Sequence, residues 1–439
     1  NTVATRKGAE ARPTGANGMN RSAIRWLVLA AALIAGGCVK ETRPLPVLQA
    51  TQATAEIPAD QLLDVGVHIF NPGVPKEVED DAELADKTRI YPEIRYAEAR
   101  YFAMQLRDTL EGTGHWGAAR VVPASVNSFD VTVDGLIVES NGAVLKVNVT
   151  VRDATGKTWY ANREYEGRAD TRAYKDGYNA GRDPFENVYV AIANDLLAAR
   201  NERKPADLAN IRRVSELRFA ADFAPVAFSQ YLEKNKKTGE YKVLRLPAED
   251  DVLVKRIAQI RERDYSMIDT VSENYAAFSE RLEEPYTSWR SYTYEEITAE
   301  EKLKAQARNR MILGAAAIAA AVLVPDSCNT SDCARVADAA RYGAMAGGVA
   351  AVISGYRKRE EAKIHTESIK EISGSFQNEA APLVVDVEGR TLRLTGTAEE
   401  QYAEWRRLLQ DLYREETGLV PAAPAAEATS TPAQTSGAG

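Results

Sequence analysis

The sequence contains few of the side chains that most often build catalytic and metal sites. Only three histidines and three cysteines occur among its 439 residues. His68, His115 and His365 lie in three separate segments, so we do not expect a histidine metal site. The chain also lacks the HExxH, GxSxG, CxxC and P-loop lysine patterns, whose spacing would supply metal ligands, a nucleophile or a phosphate cradle. These absences predict that the protein is not an enzyme and uses no cofactor and no metal.

A strongly basic surface is absent as well. The formal net charge is −8 and the pI is near 5.3, which argues against nucleic acid as a partner, because phosphate backbones bind clustered lysine and arginine. Hydrophobic residues make up 45% of the chain and charged residues 27%, as in ordinary soluble globular proteins. A chain of this length can hold two or three domains.

One glycine-rich stretch, GTGHWG at residues 112–117, matches the GxGxxG pattern of dinucleotide sites. In such a site the pattern follows a strand and opens a helix, so that phosphate meets the helix N-terminus. Here it follows a helical pattern and leads into the strand-like AARVVPAS. We therefore interpret Gly112 as a helix C-cap and Gly114 as a turn residue, and we expect no bound nucleotide.

The first cysteine follows a segment typical of protein export. Cys38 comes directly after the apolar run WLVLAAALIAGG, which is preceded by Arg21 and Arg25. A positive segment, a short uncharged core and small residues are the parts of an export signal, and this core is too short for a permanent transmembrane helix. The segment resembles a bacterial lipoprotein signal, whose lipobox ends in the cysteine that receives diacylglycerol, although Ala35 stands where leucine is usual.

This resemblance implies that Cys38 is the lipidation site and that residues 1–37 comprise an upstream extension and a signal peptide. Met19 is then the expected initiator. Val39, rather than aspartate, after the cysteine implies a lipid-anchored location on the periplasmic face of the bacterial outer membrane. The alternative is an ordinary signal peptide followed by an incidental cysteine.

The rest of the chain is predicted to be an α+β protein. Residues 38–61, rich in Pro, Thr, Ala and Gln, form a lipidated tether. Residues 62–203 form an α/β sandwich with the order β-α-β-β-β-α, whose three consecutive strands form a meander. Its first helix has one apolar face, which comprises Ala99, Phe102, Ala103, Leu106 and Leu110, and apolar residues alternate along the second strand of the meander from Leu145 to Val151.

Residues 204–372 are helical, with a short strand at EYKVLRLP, residues 240–247. Residues 373–418 form a small ββα unit, whose helix is capped by Thr397 and Glu400 and has a buried face made by Tyr402, Trp405, Leu409 and Leu412. Residues 419–439, dominated by Pro, Ala, Ser and Thr, form a disordered tail.

The sandwich region carries a second resemblance. LRDTLEGTGHWGAARVVP at 106–123 and AVLKVNVTVRDATGKTWY at 143–160 are similar to the periplasmic domain of outer-membrane assembly lipoproteins, which include the curli-secretion lipoprotein and the penicillin-binding-protein activator group. The likeness covers about a third of the chain. It implies helices packed on a sheet and a role beside an envelope machine.

The helical region should contain a seam for a partner helix, because apolar residues recur there at steps of three and four. The seam comprises Ile268, Val271, Tyr275, Phe278 and Leu282. Pro285 is expected to end this helix. Thr298 and Glu301 then predict a capping box that starts the next one.

Residues 297–372 are predicted to form a helical hairpin whose arms are the Gly/Ala-rich apolar runs 311–324 and 342–355. Cys328 and Cys333 lie between the arms, and we expect a disulfide there, a free cysteine pair being the alternative.

Small residues recur every four positions in the second arm and favour close helix packing. They are Gly343, Gly347, Ala351 and Gly355. Lysines and arginines flank only the open end of the hairpin. We therefore expect it to be buried against its own protein or against sister copies, rather than inserted in a membrane.

Three functions are compatible with these patterns. The sequence favours a membrane-anchored periplasmic lipoprotein that acts as a non-enzymatic docking or assembly module of an envelope complex. Its partners would be the membrane, through the lipid anchor, proteins of the cell envelope and, in one arrangement, sister copies of the chain. One alternative is an oligomeric channel or secretion component that uses the 311–355 hairpin. The other is a cell-wall enzyme with an unfamiliar site.

The lipid anchor gives the first testable prediction. A Cys38→Ala variant should stay uncleaved or become soluble in the periplasm, because the acyl chains on this cysteine would supply all stable membrane attachment. Cell fractionation measures the outcome. A Cys38→Ala protein that stays firmly in the membrane after processing would show that another element holds it there.

Overall fold

The structure is a computed structural model that describes residues 46–126, 128–170, 172–174, 182–248, 250–323, 367–368, 370–371, 383–387 and 390–418. Within these residues the protein is a mixed α+β molecule, as the sequence predicts. Its strands are β1 (Val65–His68), β2 (Ala119–Val122), β3 (Val131–Ser140), β4 (Val144–Asp153), β5 (Thr158–Arg168), β6 (Leu232–Lys234), β7 (Tyr241–Val243), β8 (Leu383–Val387) and β9 (Arg390–Leu394). Its helices are α1 (Lys76–Glu79), α2 (Ala82–Thr88), α3 (Pro92–Glu111), α4 (Glu186–Asn201), α5 (Pro205–Phe223), α6 (Pro225–Phe228), α7 (Val252–Leu323) and α8 (Ala398–Thr417).

Five strands form the main sheet in the order β2-β1-β3-β4-β5. β1 pairs in parallel with β2 and β3, and β3, β4 and β5 form an antiparallel meander. The predicted meander is confirmed, but the predicted order lacks one strand, β2. This strand forms because the chain before it is tied to β1: the Gly117 amide donates to the Leu63 carbonyl, and the Ala118 amide donates to Asp64 Oδ1.

Helices α3 and α4 cover one face of the sheet. α3 contacts β1, β2 and β3, α4 contacts β4 and β5, and the two helices contact each other. The apolar face predicted for α3 is buried, at Ala99, Phe102, Ala103, Leu106 and Leu110. After α3 the chain turns at Gly114, whose φ of +69° lies in the left-handed region that favours glycine. The GTGHWG stretch is thus a helix end and turn that lead into a strand, as predicted.

Helix α7 runs through Pro285 without a break, so the predicted helix end at this proline is wrong. The predicted capping box at Thr298 is also wrong, because its hydroxyl donates to the Tyr294 carbonyl inside the helix. A proline in a helix costs about 3 kcal/mol. On either side of it Leu282, Tyr286 and Trp289 are buried, at 0%, 0% and 4% exposure. At roughly 1.5–3 kcal/mol for each buried side chain, this packing outweighs the cost of the proline.

The buried face of α7 belongs to the same hydrophobic core as the sheet. The predicted seam is fully buried, and α7 contacts α3, α5, α8 and the edge strand β2. The predicted domain boundary at 203/204 therefore does not separate two cores. No helix in the described residues combines the length and the apolar composition needed to cross a bilayer.

Two buried polar contacts fix where α7 sits. Glu98 of α3 has no exposed surface, and its Oε1 accepts hydrogen bonds from Ser140 Oγ at 2.6 Å and from the Tyr286 hydroxyl at 2.8 Å. Burial raises the pKa of Glu98. One helical turn further along α7, Arg290 Nη1 donates to Asp183 Oδ2 at 2.8 Å.

The turn between β3 and β4 requires glycine because α7 passes directly over it. A Cβ on Gly142 would lie 1.9 Å from the Arg290 carbonyl oxygen and 2.5 Å from the Tyr294 nitrogen, and backbone atoms cannot move aside easily. Any larger residue would require the turn or α7 to move.

The segment predicted as a flexible tether is held against the protein from Pro46 onward. Asn187 of α4 accepts from the Leu48 amide at 3.0 Å and donates to the Pro46 carbonyl at 2.9 Å. In the same way, Asn194 accepts from the Thr51 amide at 2.9 Å and donates to the Gln49 carbonyl at 3.1 Å. Seven helical residues rise about 10.5 Å, close to the length of three extended residues, so both asparagines meet one extended strand of chain.

The C-terminal ββα unit agrees with its prediction. β8 pairs with β9, and the capping box of Thr397 and Glu400 begins α8. Its predicted apolar face at Tyr402, Trp405, Leu409 and Leu412 is buried. Tyr402 donates its hydroxyl to Asp264 of α7 at 3.1 Å, which joins α8 to the long helix.

The shared core gives a stability prediction. Leu282→Ala should lower the free energy of unfolding by about 2–5 kcal/mol, because it leaves a cavity where the side chain has no exposed surface. Glu280→Ala, on the exposed side of the same turn, is the control. Denaturant unfolding should shift as one transition. Two transitions, of which Leu282→Ala moves only one, would contradict a single core.

Candidate functional site

The site residues predicted from sequence lie outside the described residues. These are the lipidation residue Cys38, the paired Cys328 and Cys333, and the small residues Gly343, Gly347, Ala351 and Gly355. Their roles stay predictions. In the described part of the chain, no three His, Cys, Asp or Glu side chains come together in a way that could hold a metal ion.

The concave surface best suited to a protein partner is a groove of about 440 Å³ between α5, α6, the segment before α7 and the first turns of α7. We call it the α5–α7 groove. Its apolar lining is Leu217, Ala220, Phe228, Leu246, Pro247, Ala248, Val254, Ile257 and Ala258, with Tyr265 at one side. Its charged lining is balanced, with three arginines and three carboxylates: Arg212, Arg213, Arg261, Asp64, Glu216 and Glu262.

Exposed apolar side chains occur in the lining of this groove and close to lining residues in the sequence. Leu246, which lines it, is 54% exposed. Val226, Leu244 and Val252 are 63%, 54% and 76% exposed, and each lies two residues from a lining residue. Single exposed apolar residues are common, but a group of them beside an apolar groove is typical of an interaction surface.

A charged network forms the inner wall of the groove. Asp130 has no exposed surface, and its Oδ2 accepts from the Asp64 amide at 2.9 Å. Arg212 and Arg261 lie farther from this carboxylate, each with a closest N–O distance of 3.9 Å. Arg261 is held in place because it donates to the hydroxyls of Ser215 at 2.9 Å and Tyr265 at 2.7 Å.

Burial raises the pKa of Asp130 from its usual 3.8 to about 6, although the Asp64 amide and the arginines favour the charged form. A raised pKa means that the contribution of Asp130 to stability is lost as the pH rises through about 6. A pKa near neutrality suits acid-base chemistry, but a ligand in the groove cannot reach this carboxyl. The network therefore supports the wall rather than a reaction.

His68, at the end of β1, also has a structural role, because both of its ring nitrogens are hydrogen-bonded within the protein. Its Nδ1 lies 2.8 Å from Asp134 Oδ1, and its Nε2 lies 2.9 Å from the Val126 carbonyl oxygen. A carbonyl and a carboxylate both accept, so the ring satisfies both only when both nitrogens carry protons. Burial opposes this charge, but the hydrogen bonds to Asp134 and Val126 outweigh it and the pKa of His68 is raised.

The groove could not be identified from the sequence, because its lining comes from residue 64, residues 212–228 and residues 246–265. One feature of the sequence did point to this surface. Leu244 and Leu246 alternate in the stretch predicted as a short strand, EYKVLRLP, with no partner assigned to their apolar side. Both side chains are exposed, so alternating apolar residues with no partner element in the sequence can indicate an apolar surface.

The histidines give a pH prediction. Because the pKa of folded His68 lies above its usual 6.5, its contribution to stability is full below that value and is lost as the pH rises through the folded pKa. His68→Gln should therefore reduce the free energy of unfolding more at pH 6 than at pH 8.5, by about 1–3 kcal/mol at the lower pH. Denaturant titrations of the wild-type protein and the variant at both pH values measure this difference in the cost of the substitution. Asp130 titrates in both proteins, so its contribution cancels.

His115→Gln is the matched control, because burial and the charge of Arg200 lower the pKa of His115. Its contribution to stability is lost as the pH falls, so this substitution should cost more at pH 8.5 than at pH 6. An equal cost of His68→Gln at both pH values would show that His68 is not charged in the folded protein.

Comparisons of the chain with protein-family models, curated proteins and solved structures return no match. The resemblance of residues 106–123 and 143–160 to assembly lipoproteins therefore stays a prediction. The function must be inferred from the surface of the molecule itself.

Proposed function

We propose that the protein is a membrane-anchored periplasmic lipoprotein that acts as a non-enzymatic docking or assembly module of an envelope complex. The observation that carries this proposal is the α5–α7 groove, whose lining combines apolar side chains with balanced charges. Specific protein interfaces have this composition, in which desolvated apolar side chains supply most of the affinity and polar groups accompany them.

The chemistry of the groove defines the partner. Three arginines and three carboxylates line it, so neither a strongly acidic nor a strongly basic partner is favoured. A volume of about 440 Å³ holds a few side chains rather than a domain. The proposed partner is therefore an envelope protein that inserts a short segment with apolar side chains, as helices and extended peptides do in other grooves.

The asparagine contacts of α4 support a position close to the membrane. With lipid on Cys38, seven residues, 39–45, would separate the anchor from Pro46, where the contacts to Asn187 begin. Seven residues reach at most about 25 Å even when fully extended. The folded part would then stand near the lipid surface of the outer membrane, on its periplasmic side.

The proposal includes the finer organisation predicted from sequence. Residues 62–203 would be the α/β sandwich, and residues 297–372 the hairpin, closed by a Cys328–Cys333 disulfide and packed through the small residues of its second arm. α7 is helical as far as Leu323, which supports a helical first arm. Packing of this hairpin between sister copies would make the module a homo-oligomer.

Site-specific photocrosslinking in cells tests the docking proposal. A benzophenone amino acid at Leu246 or at Val254, two residues that line the groove, should give a light-dependent adduct with the same envelope protein. Val138, an exposed apolar residue on β3 outside the groove, is the matched control and should give none. Mass spectrometry identifies the partner. No adduct from either groove position, or the same adducts from Val138, would contradict the proposal.

A further inference from the structure

A second concave surface lies on another side of α5 and has different chemistry. It is a cleft of about 410 Å³ bounded by the loop after β2, by α5, by the β6–β7 hairpin and by α8. We call it the α5–α8 cleft. Arg218, Phe219 and Asp222 of α5 line it, whereas Glu216, Leu217 and Ala220 line the α5–α7 groove. The two surfaces share no lining residue.

Positive charge is in excess in the α5–α8 cleft. Three cations and one carboxylate line it: Arg218, Lys234, Arg406 and Asp222. Arg406 is neutralised, because it pairs with Asp222 and with the buried Asp264, the latter at 3.2 Å. Arg218 and Lys234 contact no carboxylate in the described part of the chain, so their two charges remain available to a ligand.

One aromatic ring places both of these cations. Lys234 and Tyr241 are cross-strand partners in the hairpin, so their side chains lie on the same face of it. The Lys234 ammonium lies 5.3 Å from the centre of the Tyr241 ring, and the Arg218 guanidinium lies 4.6 Å from it. Arg218 also donates to the Ala154 carbonyl at 2.9 Å, which fixes its direction. Both cations therefore line the cleft beside the same ring.

A buried hydroxyl in the same cleft also lacks a partner. Ser128 is 9% exposed, and its Oγ has no hydrogen-bond partner in the described residues. Its carbonyl is satisfied, since it accepts from Ser215 Oγ at 2.9 Å. The hydroxyl is therefore a polar group that the described residues leave unsatisfied behind the lining of the cleft.

From these observations we infer that the α5–α8 cleft binds a small organic anion, with its carboxylate or phosphate group held by Arg218 and Lys234. The remaining lining favours an apolar or planar body on the ligand. Tyr241, Phe219, Tyr402 and Leu232 supply these walls. A carboxylate and a phosphate share the chemistry that the cations recognise, and a planar body would pack against these walls.

Calorimetric titration of the full chain with two probes tests this inference. Inorganic phosphate supplies the anion alone, and benzoate supplies an anion with a planar body. We expect one-to-one binding of benzoate with a Kd of about 1 mM or tighter, as its size allows. Lys234→Gln should weaken the binding of each probe by about tenfold, because it removes one charge-assisted contact.

The hairpin supplies a matched control. Lys242 is exposed and pairs with Glu233 on the opposite face of the same two strands, so Lys242→Gln changes the net charge equally without changing the cleft. It should leave binding of both probes unchanged. Tyr241→Leu should weaken the binding of both probes, because this ring places both cations. Thermal unfolding of each variant checks that the fold is retained.

Two results would overturn the inference. One is the absence of saturable binding of both probes up to about 10 mM, well beyond the expected Kd. The other is an equal loss of binding in Lys234→Gln and Lys242→Gln, which would show that the anions respond to net charge and not to the cleft.

Discussion

The packing of one face of α7 against the sheet domain supports the rest of the described structure. This helix contacts α3, α5, α8 and β2, and the side chains of Ile268, Phe278 and Leu282 have no exposed surface. The same face continues past Pro285, so apolar burial overrides a local helix-breaking signal. Because α5 and α8 both rest on α7, the groove and the cleft depend on this packing.

Apolar burial alone would allow α7 to pack on the sheet domain in several registers, and buried polar contacts select one of them. Glu98 accepts from Tyr286, Arg290 pairs with Asp183, and the backbone of α7 lies against Gly142. A buried charge that loses its partner costs several kcal/mol, so other registers of the helix are disfavoured. The position of α7 is thus set by a few polar atoms within a largely apolar contact.

Helix α5 separates two surfaces of different chemistry. The α5–α7 groove combines apolar side chains with balanced charges, whereas three cations and one carboxylate line the α5–α8 cleft. The first suits a protein segment and the second a small anion. Since α8 contributes Tyr402 and Arg406 to the cleft and pairs with α7 through Asp264, the small C-terminal unit completes one of these surfaces.

The sequence by itself determined the local elements. The alternation in β4, the apolar face of α3 and the capping box before α8 follow from side-chain period and capping, which depend on neighbouring residues only. Tertiary structure decided the rest. The docked segment at Pro46, the continuity of α7 through Pro285 and the lining of both concave surfaces join residues far apart in the chain, and no local pattern encodes such contacts. Pro285 shows the physical reason: its local cost is fixed, but the burial that outweighs it exists only in the folded core.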